Sequence, residues 1–167
     1  MHANILYMSK TNIRVKTKFQ ILSLWILFTI LLASLVLWPI YSNNVDYRFY
    51  FNNILFIAVF IIFFRYIFFI KTTFLENKIY IKLLIVALAI FFDIYAYMAL
   101  NDFINFYQEN GKYSQLTHLV LEKQYSIGNF IFNQYIFFGV AALVSGIIIP
   151  FRMLISVWRV HNKGSEG

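Results

Sequence analysis

The chain has 167 residues, of which 61% are hydrophobic and 13% charged, with a formal net charge of +7 and no cysteine. A soluble domain of this size is nearer 45–50% apolar and about 25% charged, so polar residues are too few to coat a water-soluble globule and a bilayer is the expected solvent. The missing cysteines exclude disulfides, thiol nucleophiles and thiolate metal sites. The basic residues flank apolar runs, which points to membrane orientation and away from nucleic acid.

Four apolar stretches are long enough to cross a bilayer, which takes about 20 helical residues. The first is Phe19–Trp38, "FQILSLWILFTILLASLVLW", which Pro39 is expected to end. A basic segment precedes it, but its apolar run is long for a secretory leader and no small-residue cleavage pattern follows. A retained span is therefore expected, with Met8 as a possible natural start because "MSKTNIRVKTKF" is a complete basic lead-in. The second stretch is Asn53–Ile70, the third Ile79–Leu100 and the fourth Phe130–Ile149, followed by Pro150 as a kink or break. The expected fold is all-α, a single integral membrane four-helix bundle spanning residues 1–167.

Basic residues are dense before the first span (Lys10, Arg14, Lys16, Lys18), in the second connection (Lys71, Lys78, Lys82) and in the tail (Arg152, Arg159, Lys163). They are sparse in the first and third connections. The positive-inside rule then places both termini in the cytoplasm of a bacterial inner membrane. Trp38 and Tyr41 fall at the expected outer interface and Trp158 at the inner one. Tyrosine is skewed outward, at 41, 47, 50, 95, 97, 107, 113, 125 and 135, and interface anchoring is the ordinary reason for that.

The outer connection, residues 101–129, is expected to hold a small helical lid. Gly111 can cap an extension of the third helix, and Ser114 can start a short helix, "SQLTHLVLEKQY". The helix is expected to continue past Pro150 into the tail, where Arg152, Ser156, Arg159 and Lys163 recur at i, i+4, i+7 and i+11. Such a stripe suits an amphipathic helix at the inner interface, docking on lipid phosphates or a partner.

No metalloprotease, nucleophile-elbow, phosphate-loop or dinucleotide motif is present. His2, His118 and His161 are too dispersed to share a metal, and no cofactor or catalytic centre is expected. Two charges lie inside spans, Arg65 and Asp93, and such residues are functional candidates with a partner to be named. At 1.5 Å per residue Arg65 lies roughly 9 Å from the inner edge and Asp93 roughly 11 Å from the outer edge, so their depths differ across a core about 30 Å thick. Arg65 can snorkel to headgroups; Asp93 is too short to do so.

Asp93 shares a helix face with Ala89 and Ala96, and the fourth span carries Gly139, Ala142 and Gly146. Small residues let membrane helices approach closely, so these two faces are expected to meet, with Gly139 level with Asp93 and bulky Phe91, Phe92, Tyr95 and Met98 toward lipid. Tyr135, Asn133, Ser34 and Thr29 are the candidate donors to Asp93. A carboxylic acid that stays neutral in lipid both donates and accepts, so it can pin helices together. The expected function is a non-catalytic subunit or assembly factor of a larger membrane complex, whose partners are the lipid bilayer and other subunits or further copies of the chain. The alternative is a small proton- or cation-coupled transporter or channel that uses Asp93.

Overall fold

In the computed structural model residues 2–70, 73–75 and 78–165 are described, with side chains in those segments from 15 to 159 and at 161 and 162. Four helices account for nearly all of it: α1 (His2–Ser42), α2 (Tyr50–Phe69), α3 (Ile79–Asn110) and α4 (Leu121–Ser165). No strand occurs among the described residues. Each helix contains a segment long and apolar enough to cross a membrane. The chain is thus an all-α, multi-pass membrane bundle. Helices suit that solvent because every mid-span backbone group is satisfied within its own segment.

Two expectations about element ends need correction. Pro39 does not end α1, which runs three residues further. The stop is set at Asn44, whose φ of 50° is left-handed. Its N–H donates to the Tyr41 carbonyl at 3.0 Å, and the Val45 N–H donates to the Ile40 carbonyl at 3.3 Å. That pair is a Schellman cap, with Asn in the position glycine usually takes. Pro150 lies inside α4, in keeping with a helix that continues past it into the tail. A proline removes one N–H and crowds one carbonyl, which membrane helices accommodate where neighbouring helices hold the path.

The separate lid helix is also absent. Only Ser114–Leu116 forms a 3-10 turn, and "LEKQY" is already the start of α4. Gly111 does cap α3, with φ 83° and its N–H on the Tyr107 carbonyl at 3.1 Å. The turn is tied to the α1–α2 loop by His118, whose Nε2–H donates to the Asn43 carbonyl at 2.9 Å.

Helix α4 is the axis of the bundle, packing along both α2 and α3, while α1 leans on α2 and touches α4 lightly. The α3–α4 register follows from two glycines. A Cβ on Gly139 would meet Leu100 and Phe56, and a Cβ on Gly146 would meet the Asp93 carboxyl. Seven residues forward on α3 thus match seven residues back on α4. Seven residues are two turns, the repeat of left-handed antiparallel helix packing.

Two hydrophobic clusters fill the interior. The larger lies toward the 43–49 loop and includes Phe49, Phe56, Phe103, Tyr107, Leu116 and Tyr135. The smaller lies toward the 71–78 connection and includes Phe63, Ile70, Ala89, Ile149 and Met153. Three of the nine outward tyrosines, Tyr47, Tyr107 and Tyr135, are buried in the core and do not anchor an interface. Trp38 and Tyr41 stay exposed. Phe92, expected toward lipid, packs edge-on against Phe56 and Phe63.

Candidate functional site

Asp93 sits on the α3 face that meets α4. Ala89 and Ala96, one turn to either side, have no exposed surface, and neither has Ala142 on the facing helix. The carboxyl rests on Gly146, where a side chain would place its Cβ 2.7 Å from Cγ and 3.0 Å from Oδ2. The expected partner Gly139 lies two turns away and receives Leu100 instead. Gly146 precedes Pro150 by four residues, so no helical N–H exists at position 150 to meet its carbonyl.

None of the expected donors reaches Asp93. The Tyr135 hydroxyl donates to the Ala99 carbonyl at 3.4 Å. Asn133 and Ser34 are exposed elsewhere. Thr29 donates to its own helix at the Trp25 carbonyl, 2.8 Å, and Ser145 to the Ala142 carbonyl, 2.8 Å. Asp93 Oδ1 is enclosed with no hydrogen bond, although the residue as a whole is only half-buried.

Arg65 is 5% exposed, and its Nε has no hydrogen bond. It forms no ion pair with Asp93. It lines an apolar crevice between α1 and α2 of about 350 Å³, with Leu22, Trp25, Ile26, Ile61 and Tyr66 among the walls. The two intramembrane charges therefore face different surfaces of the bundle, Asp93 toward α4 and Arg65 toward α1.

A third polar group escaped the sequence reading. Asn53 is wholly buried and donates from Nδ2 to the Tyr47 hydroxyl at 3.2 Å. Gln134, 8% exposed, approaches the same hydroxyl, yet neither its oxygen nor its nitrogen completes a hydrogen bond. Burial, and then the neighbouring Tyr107 and Tyr135, push the Tyr47 hydroxyl well above the usual phenol range, so it stays protonated. An enclosed amide with no partner costs about 1–3 kcal/mol. Gln134→Leu, close in volume, is expected to raise the unfolding midpoint in detergent or leave it unchanged. A clear fall would show that ordered water completes the amide.

The tail is spent differently from expectation. Arg152 is half-buried and donates from Nε to the Ile67 carbonyl at 2.8 Å. It thereby caps α2, whose last carbonyls lack helical donors and carry partial negative charge. Met153 is fully buried, while Trp158 and Arg159 are exposed. Of the basic residues counted for orientation and docking, Lys71 and the side chains of Lys10, Arg14 and Lys163 lie outside the described residues. Lys82, counted as part of the second connection, is wholly buried.

Compared with known proteins, the chain matches no protein family, no characterised protein and no solved structure.

Proposed function

We propose that this protein is a non-catalytic subunit or stabilising factor of a larger membrane complex, in a bacterial inner membrane with both termini cytoplasmic. The observation that supports it is the Asp93 carboxyl, mid-span and half-buried, whose Oδ1 meets no donor among the described residues. In hydrocarbon an unsatisfied polar group costs several kcal/mol, so a donor from outside the chain has a large advantage. A polar side chain on a partner helix supplies it at the α3–α4 seam. The small residues cannot be that contact themselves, because Ala89, Ala96 and Ala142 are already buried within the bundle. The alternation of basic residues along the sequence supports the orientation.

The test is a pull-down of the tagged full-length protein from gently solubilised native membranes, with mass spectrometry. Wild type should bring down a stoichiometric membrane partner, or a second copy of itself after cross-linking. Asp93→Ala should accumulate normally and lose about fivefold of that partner, the effect of one net hydrogen bond of about 1 kcal/mol. Wild type migrating alone would end this reading. A reporter fused after Gly167 that is active only outside the cytoplasm would end the orientation.

The same carboxyl supports the second reading, a small proton- or cation-coupled transporter or channel, with the proton or cation in place of the partner's donor. Unchanged proton and ion flux in liposomes on Asp93→Asn would eliminate it.

A further inference from the structure

We propose that the crevice between α1 and α2 is a binding site for an anionic phospholipid, with one acyl chain along Leu22, Ile26 and Ile61 and the phosphate on the Arg65 guanidinium. This does not rest on the reading of Asp93, which lies on another face.

The first ground is charge. A guanidinium keeps its charge in proteins, and an intramembrane charge calls for a counter-charge or a polar path. Arg65 is 95% withdrawn from the surface, being 5% exposed, and pairs with no carboxylate among the described residues. Its Nε is enclosed without a hydrogen bond, and the side chain lines the crevice. Tyr66 adds a hydroxyl-bearing ring to the same wall. Lys18, one turn before Leu22 on α1, donates to the Thr73 carbonyl at 3.0 Å and is engaged there. A buried guanidinium on the wall of an apolar channel matches a phosphate head above a hydrocarbon tail.

The second ground is shape. At about 350 Å³ the crevice falls within the roughly 300–1,000 Å³ of small-molecule and cofactor sites. Its α1 wall, Leu22 to Ile30, is about 12 Å long at 1.5 Å per residue, close to the ~15 Å depth of one leaflet. A second crevice of about 340 Å³ shares Thr29 and Ile30 and continues the seam to Leu37. A transmembrane helix, about 10–12 Å across, does not enter this space, because α1 and α2 remain in contact. Near one end Trp25 meets Phe69 at 5.8 Å and Phe19 meets Phe74 at 5.9 Å. A single acyl chain is narrow enough to pass.

The test is native mass spectrometry of the full-length protein, delipidated in detergent and then supplied with phosphatidylglycerol, phosphatidylcholine or oleic acid. Wild type should retain one phosphatidylglycerol per chain and neither of the others. Arg65→Leu should retain about tenfold less, the loss of one charge-assisted hydrogen bond. Ile62→Trp, which fills the crevice mouth from an exposed position, should lose the lipid with Arg65 intact, and it decides the matter if Arg65→Leu does not fold. Equal retention of phosphatidylcholine, or unchanged retention in both variants, overturns the proposal. Retention of oleic acid in place of phosphatidylglycerol, or loss of a co-purifying protein on Arg65→Leu with lipid unaffected, also overturns it.

Discussion

Tyr135→Ala should lower the unfolding free energy by about 2–3 kcal/mol. The ring has no exposed surface. It stacks on Phe103 with centroids 3.8 Å apart and planes at 16°, and Phe49 and Phe56 meet it edge-on at 5.8 and 5.3 Å. It thus ties the 43–49 loop, α2 and α3 to α4. Lipid tails are as apolar as leucine, so transfer from water contributes little and the cost is lost packing. Removing roughly 100 Å³ of side chain at about 24 cal/mol per Å³ of residual cavity gives about 2.4 kcal/mol. Tyr135→Phe keeps the ring and loses the 3.4 Å bond to the Ala99 carbonyl and the approach of Asn52 to the hydroxyl, each about 0.6 kcal/mol by the average for interhelical bonds in lipid. Denaturant titration in mixed micelles separates the two. If the alanine variant is as stable as the phenylalanine variant, the stack is not formed in the membrane.

How much of this was legible in the sequence depends on the residue. The four spans were legible, because about 20 consecutive apolar residues have few other uses. Their ends were not. Pro39 carries the usual sign of a stop, but the physical penalty is one N–H and one crowded carbonyl, and packing at Ile40, which has no exposed surface, outweighs it.

The faces were legible and the register was not. Gly139 and Gly146 lie on one stripe two turns apart, so a face-based reading cannot tell which of them meets Asp93. Depth counted from apolar run lengths favoured Gly139 because the real helices extend past those runs. Tyr135 continues the stripe of Gly139, Ala142 and Gly146 at i, i+4, i+7 and i+11. That spacing could have placed it in the core ahead of any interface role. Gln134 and Asn53 gave only a weak signal, a single amide among apolar neighbours. The Arg65 crevice depends on how closely α1 approaches α2, which no periodicity reports.

Asp93 and Gly146 should behave as one unit in a double-mutant cycle. Gly146→Ala puts a methyl group where the carboxyl lies, and overfilling a packed site costs about 1–3 kcal/mol. The methyl is fixed to the α4 backbone, so the carboxyl must leave by rotating about the Cα–Cβ bond, and Ala89 and Ala96 beside it already have no exposed surface. Asp93→Ala alone should be neutral or stabilising in pure detergent, because it removes an enclosed oxygen with no hydrogen bond and leaves no polar partner behind. In the double variant the Gly146→Ala penalty should vanish, a coupling within the 0.5–3 kcal/mol seen for residues in contact. A penalty that persists without Asp93 would assign the tight approach to the helix backbones and withdraw the carboxyl seat. Asp93→Ala destabilising the purified monomer by more than about 1 kcal/mol would mean the carboxyl already has a donor, which removes the support for a partner at this seam. The cycle therefore tests the packing of α3 on α4 and, through the sign of one single variant, whether Asp93 still awaits a donor once the chain is alone.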